Sequence, residues 1–287
     1  MKVKNNFHIY AIITILFWSL AYVLTRLALQ YFTAFSLGFL RYFIASCTLI
    51  IVSVISKIKM PDKKDLPWFM LAGALGFFIY MIVFNQGQKA VTAATGSIVI
   101  SIVPILTALF ARGIYKEKMS YHQWFAIAIE FAGVVVLTWM NGIFSINMGL
   151  FWLFLAALSL SLYNLLQRTL TRTYSALQTS TFSIFFGTIL LSIFLPASVK
   201  EVRAAPVKQW LYLAVLGIFS SAIAYVSWSK AFAKAKQTSQ VSNYMFITPF
   251  VTSVLGFLIA NEIPEPSTIV GGGIILLGAF LFNYRVK

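Results

Sequence analysis

Acidic side chains are scarce in this 287-residue sequence: seven aspartates and glutamates stand against 22 lysines and arginines. Both aspartates, Asp62 and Asp65, fall in one short hydrophilic stretch, which excludes an aspartyl pair working inside an apolar segment. The single cysteine, Cys47, excludes a disulfide scaffold and any C-x-x-C metal or redox site. The two histidines, His8 and His122, lie far apart and near the ends of apolar runs, so no metal site is expected. H-E-x-x-H, G-x-S-x-G and Walker A patterns are all missing, leaving no residues for hydrolysis and no site for ATP. The expectation is a protein that is not an enzyme and holds no cofactor. Charge of either sign is rare, at 10% of residues against about 25% in a soluble domain, so a water-solvated surface cannot be built.

What is abundant is apolar, at 60% of residues. Ten apolar stretches follow one another at 7–28, 34–56, 66–87, 92–111, 121–140, 148–167, 175–196, 209–229, 238–260 and 267–284. Each matches the roughly 20 residues of a spanning helix, whereas a barrel strand needs only about 9–11 with alternating polarity. The fold class is therefore an all-α integral membrane protein with ten transmembrane helices and the lipid bilayer as its partner. The first stretch, after Lys2 and Lys4, lacks a clear small-x-small cleavage site and is read as an uncleaved helix. The basic excess would suggest nucleic acid in a soluble protein. Here most of it lies in loops and termini, and no nucleic-acid partner is expected.

The loops differ sharply in charge from one side to the other. Lys2, Lys4, Lys57, Lys59, Lys63, Lys64, Arg112, Lys116, Lys118, Arg168, Arg172, Lys230, Lys234, Lys236, Arg285 and Lys287 fall on one side, sixteen in all; Arg26, Lys89, Lys200, Arg203 and Lys208 fall on the other, with Arg41 left inside the second segment. Positive charge stays on the cytoplasmic side, so both termini are expected there, in a cell membrane.

The chain also repeats itself. Pro104 and Glu117 recur 145 residues later as Pro249 and Glu262, as do Lys89, Ala90 and Gly133 as Lys234, Ala235 and Gly278; an offset of 142 pairs Arg26 with Arg168 and Trp68 with Trp210. Two units of five helices follow, 1–142 and 143–287. Five is odd, so the second enters the membrane with opposite polarity, the inverted repeat of many secondary transporters.

The two runs beginning QKAVTAATGSIVISIVPILTALFARGIYKEKM and KAFAKAKQTSQVSNYMFITPFVTSVLGFLIANEI share an Ala-rich helix start, a mid-helix proline, a Glu just past the helix end and a Gly-containing last helix. That pattern resembles the EamA-type members of the drug/metabolite transporter superfamily, over the whole chain and in two copies. One departure is Lys116, where the family usually has Gly before the Glu. The resemblance implies export of small metabolites, often amino acids, through a cavity lined by helices 1, 3, 4, 6, 8 and 9. Sugar-phosphate or nucleotide-sugar exchange is the rival within the class, and an integral-membrane transferase or scaffold the rival outside it.

Polar and aromatic residues in those helices are the candidate substrate contacts: Trp18, Tyr22, Tyr80, Ser101, Ser161, Asn164, Tyr225 and Tyr244. Each also has a plainer reading, since hydroxyls bond back to their own helix and aromatics gather at the interface; Asn85 and Trp228, near span ends, are assigned to that belt or to loops. Pro104 and Pro249 remove a helical hydrogen bond at matching depths and are candidate hinges. Glu130 is the one acidic residue in the middle of a span, a candidate for proton coupling or a structural partner of Arg41. A monomer or a homodimer is compatible with all of this. The charge split makes one outcome checkable: a cysteine placed at Asn141, between the fifth and sixth stretches, is labelled by an impermeant reagent from outside intact cells, and labelling only after lysis reverses the orientation.

Overall fold

A computed structural model of the protein describes residues 7–140, 148–263 and 266–283; Asn141, the repeat junction at 142–143 and the terminal basic residues Lys2, Lys4, Arg285 and Lys287 lie outside them. Among the described residues the chain is helical and forms no strand. The segments, named here in chain order, are α1 Phe7–Ala28, α2 Ala34–Ile55, α3 Lys63–Ala90, α4 Ala93–Tyr115, α5 Tyr121–Met140, α6 Met148–Leu170, α7 Ala176–Arg203, α8 Val207–Lys234, α9 Thr238–Ala260 and α10 Pro266–Asn283. Eight of them, all but α5 and α10, are long and apolar enough to cross a bilayer by length and composition.

Local chemistry sets the boundaries. Thr33, Thr92 and Ser175 each stand in extended backbone and accept the first free N–H of α2, α4 and α7, Ser175 within a full capping box with Gln178; Glu201 adds a carboxylate on the Thr33 N–H and hydroxyl. Such caps satisfy donors that a helix start leaves open. The C-terminal ends of α4 and α9 are built alike. Lys116 and Asn261 both turn left-handed, each at φ 53°, and their N–H groups, with those of Glu117 and Glu262, return to the carbonyls of Ala111 and Gly256. The lysine thus adopts the conformation that glycine adopts at no steric cost, and the turn is kept despite the departure at Lys116.

Five helices carry interruptions that hydropathy does not record, among them α7 with a 3₁₀ turn at Ser192–Phe194. α3 widens into π turns at Ala74–Ile79 and α8 at Val215–Ile223; α4 breaks at Ser101–Ile102 and α9 tightens to 3₁₀ at Asn243–Ile247, each just before its proline. Gly73 and Gly217 allow neighbouring backbones to approach: a Cβ on Gly73 would stand 2.7 Å from the Gly187 nitrogen of α7, and one on Gly217 3.0 Å from the Arg41 carbonyl of α2. α3, α7 and α8 run to 28 residues each, longer than their apolar stretches, because polar turns continue the helix at both ends of α3 and α8 and at the C-terminal end of α7.

α5 and α10 pack mainly on one another. A Cβ on Gly133 would meet the Gly271 carbonyl and one on Gly278 the Ala126 carbonyl, both at 2.9 Å, the close small-residue packing of membrane helices. Glu130 is buried in this seam against Gly278, and neither carboxyl oxygen has a hydrogen-bond partner among the described residues. Arg41 is bonded elsewhere, to Ser221, so no structural Glu130–Arg41 pair forms. At the 145-residue offset the position of Glu130 is held by Ile275. Glu130→Ile is therefore expected to raise stability by about 1–3 kcal/mol, the cost of an unpaired buried polar group. Gly278→Val should lower it by about 1–3 kcal/mol through overpacking, and Gly272→Ala, with nothing within 4 Å of a new Cβ, should leave it unchanged; thermal melts in detergent check all three.

Candidate functional site

The centre of the bundle holds a small polar-edged cavity. Trp18, Ala21 and Tyr22 of α1 face it, with Arg41 of α2, Tyr80 and Phe84 of α3, Leu160 of α6, Tyr225 of α8, and Met245 and Thr248 of α9. Its volume is about 20 Å³, room for about one water and far below the several hundred Å³ of a metabolite site. The conformation is closed over it. A hollow of about 490 Å³ lies between α9 and α10, but it is lined by outward-facing apolar side chains such as Phe250, Phe257 and Ile269, a surface suited to lipid chains. Polar recognition belongs to the centre.

The central walls are aromatic. Tyr80 stacks on Phe84 with ring centres 5.4 Å apart, Tyr22 meets Phe84 edge-on at 5.3 Å, and Trp18 leans on Tyr225 at 5.1 Å and Trp228 at 5.0 Å. Behind them Tyr42, Phe77, Tyr163 and Tyr225 form an edge-to-face cluster, geometry that favours rigid packing of rings. Arg41 enters beside this wall: its Nε donates to Ser221 Oγ at 2.7 Å and its Nη2 to the Ser220 carbonyl at 3.4 Å, while the guanidinium stands 5.6 Å from the Tyr42 ring centre. The π turns of α8 hold Ser220 and Ser221, so the irregular backbone is what places Arg41's partners.

Of the candidate contacts, the structure brings Trp18, Tyr22, Tyr80 and Tyr225 to this cavity and leaves four away from it. Ser101 bonds back to the Ile98 carbonyl at 2.5 Å. Ser161 donates to the Ala157 carbonyl of its own helix at 2.7 Å and reaches the Val103 carbonyl at 3.2 Å, and Asn164 is held by Thr107 and by the Trp228 indole. Tyr244 is half-buried beside Phe7 and bonded to the His8 ring at the start of α1. Two assignments are corrected. Trp228 is fully buried, its Nε1 donating to Asn164 Oδ1 at 3.0 Å, and Asn85 is buried with its amide on the Ala34 carbonyl at 2.8 Å; both lock helices together, and neither sits in an interfacial belt or loop. Arg41, Phe84 and Thr248 were not among the candidates. Arg41's signal was present as the single cation deep in an apolar stretch, but its helix lies outside the expected cavity set, whereas no α4 residue lines the cavity.

Above and below the cavity two clusters close the ends of α4, which at about 1.5 Å per residue is roughly 34 Å long. At its start, Arg26 Nε donates to Glu262 Oε1 at 2.7 Å and Arg26 Nη1 to the carbonyls of Val91 and Gln88, while the Ala93 N–H donates to Glu262 Oε2 at 3.1 Å. At its end, Glu117 accepts from the Thr238 N–H at 3.1 Å and hydroxyl at 2.8 Å, while Arg168 donates to the carbonyls of Phe232, Ala235 and Lys236. Each glutamate caps a helix of the other half, and each arginine closes carbonyls where a third helix stops.

Comparison with known proteins gives a consistent picture. The EamA-like transporter family matches the chain twice, over residues 6–139 and 147–284. The uncharacterized transporter YdfC of Bacillus subtilis (strain 168) is 30% identical over 270 residues, covering 93% of this chain and 87% of that protein. A probable terminal-alkyne amino-acid exporter of Streptantibioticus cattleyicolor is 29% identical over 274 residues, 96% of this chain and 92% of its own length. An S-adenosylmethionine uptake transporter of Rickettsia prowazekii is 24% identical, covering 88% and 84%. A solved crystal structure with 18% identity superposes at a TM-score of 0.70 over 98% of both chains, a likeness of fold.

The end clusters generate a double-mutant test. Arg26→Gln and Glu262→Gln each remove one side of a partly buried ion pair, so the double variant should lose less stability than the two single losses added. The expected coupling is about 0.5–1 kcal/mol, read from thermal or denaturant melts; strict additivity would show that the pair contributes nothing.

Proposed function

The chain belongs to the EamA-like transporter family, and from that membership we propose a secondary active transporter of the cell membrane in which two inverted five-helix repeats, 1–142 and 143–287, alternate access to the central cavity. The observation that carries this reading is a pair of reciprocal contacts across the proposed repeats: the Ser19 hydroxyl stands 3.4 Å from the Thr248 carbonyl, just before Pro249, and the Ser161 hydroxyl, whose shorter bond at 2.7 Å runs to Ala157 of its own helix, stands 3.2 Å from the Val103 carbonyl, just before Pro104. Ser19 and Ser161 are 142 residues apart, and Val103 and Thr248 are 145 apart. A two-fold relation in the membrane plane generates such a pair from a single contact. The same relation accounts for the opposite directions of α1 and α6, whose last turns meet opposite ends of α4.

In this reading the substrate is a small metabolite, an amino acid or a molecule like it, bound against Trp18, Tyr22, Tyr80 and Tyr225. Export is the direction suggested by the relative named as an amino-acid exporter, both termini face the cytoplasm, and the working unit is a monomer or a homodimer. The helix breaks before Pro104 and Pro249 act as hinges, since each proline leaves the preceding turn without its full set of hydrogen bonds. Glu130 lies in the α5–α10 seam, apart from the residues that line the central cavity.

Uptake of radiolabelled amino acids into proteoliposomes, with and without a proton gradient, tests the reading. Trp18→Ala is expected to lower transport by tenfold or more at unchanged yield. Pro104→Ala and Pro249→Ala are expected to retain binding while turnover falls, because a restored backbone bond stiffens the hinge. Loss of binding and turnover together, in a folded variant, would mean that the prolines shape the site.

A further inference from the structure

We propose that Arg41 is the anion anchor of the central site and that the transported molecule carries a carboxylate; this rests on the reading of the cavity as the substrate site. Arg41 is only 4% exposed, yet among the described residues the ion pairs are Arg26–Glu262 and Lys64–Asp62, and none reaches it. A buried guanidinium without a counter-ion is costly in a membrane and marks a functional position. It has five N–H donors in a flat fork that matches a carboxylate, of which the Ser221 hydroxyl and the Ser220 carbonyl take two, the second at a long 3.4 Å.

The cavity's other open polar groups have the same sense. Trp18 Nε1 and the Thr248 hydroxyl both line it, are buried, and have no hydrogen-bond partner. An indole N–H is only a donor, and a hydroxyl can donate. No acidic side chain lines the cavity. One full positive charge with two open donors asks for an acceptor-rich anionic group, while the faces of Tyr22, Tyr80 and Phe84 suit an apolar or aromatic body, or an ammonium group by cation–π attraction. Arg41 also lies outside the repeated frame. Its counterpart at the 142-residue offset is Ser183, so the guanidinium is an addition to the scaffold. One guanidinium balances one carboxylate, whereas a phosphate dianion would retain a charge in this apolar surround.

The test uses the full chain in detergent and in proteoliposomes, with the standard amino acids, their carboxamides and inorganic phosphate as probes. Wild type is expected to be stabilised by, and to transport, at least one acid, with the matching amide at least tenfold weaker and phosphate without effect. In Arg41→Gln the affinity for that acid should fall at least tenfold while the weak affinity for the amide stays, and Arg41→Lys should restore part of the preference. Should Arg41→Gln fail to fold, Arg41→Lys and the acid-to-amide ratio of wild type still decide. Equal handling of acid and amide by wild type, or a stronger effect of phosphate, overturns the carboxylate anchor and leaves the small-metabolite reading standing. A wild type that neither binds nor moves any of the acids or amides overturns both.

Discussion

Inside a bilayer an unpaired peptide group has no water to bond, so each interruption of a helix must be closed by another part of the protein. That constraint organises this molecule. α3 and α4 stop and restart within a few residues of one another, as do α8 and α9, and the carbonyls and N–H groups freed there are taken up by Arg26 with Glu262 and by Arg168 with Glu117. These charged residues are among the few in the chain that stand apart from plain solvated loops. Their work is on the backbone. Hydroxyls of neighbouring helices add contacts beside the shorter interruptions: Ser161 and Ser19 reach the carbonyls next to the prolines, and Thr14 reaches the Ala224 carbonyl where the π turns of α8 end.

The consequence for the site follows from where the irregular turns fall. A regular α8 would present one residue fewer per π turn, and Ser220 and Ser221 would stand at other angles. With the π turns in place, the Ser221 hydroxyl meets the Arg41 Nε and the Ser220 carbonyl faces its Nη2. Close approach at Gly217 fixes the α2 backbone that carries Arg41. The guanidinium is thus positioned by backbone geometry, with the Tyr42 ring beside it.

How much of this was legible in the sequence depends on what kind of signal each feature leaves. Helix positions were visible because apolar length is a bulk property; the structured segments keep the ten stretches in order and differ mainly at the polar ends of α3, α7 and α8. The matching prolines and glutamates were visible as spacing. The π turns were not: Gly76 and Gly217 signal flexibility or close packing in the sequence, and the close packing is what the structure shows, against the Tyr163 ring and the Arg41 carbonyl. Side-chain direction was illegible as well. Tyr244 and Tyr225 carry the same chemistry, but Tyr244 lies in the first third of α9 and reaches His8 at the start of α1, while Tyr225 lies deeper along α8 and lines the cavity. Asn85 and Trp228 were misplaced for a related reason: apolar counting ended their spans early, while the helices continue and bury both side chains.

The closed centre and the two end clusters together bound the cost of motion. The clusters share a design and differ in what crosses between the halves. Arg26 joins its own half's carbonyls of Gln88 and Val91 to Glu262 of the other half, which also accepts the Ala93 N–H, while Arg168 spends its donors on Phe232, Ala235 and Lys236 and leaves Glu117 to cross through the N–H and hydroxyl of Thr238. A partly buried ion pair contributes about 1 kcal/mol, and each hydrogen bond to a carboxylate about 1.5–3 kcal/mol. Each end is thus held by about 2–6 kcal/mol, a size that a ligand's differential affinity for two states can offset. A ligand that pairs with Arg41 would relieve a buried charge in the state that encloses it, so its binding energy can be spent on breaking one end cluster. On the alternating-access reading, the uncompensated guanidinium at the centre is what couples occupancy to the two ends.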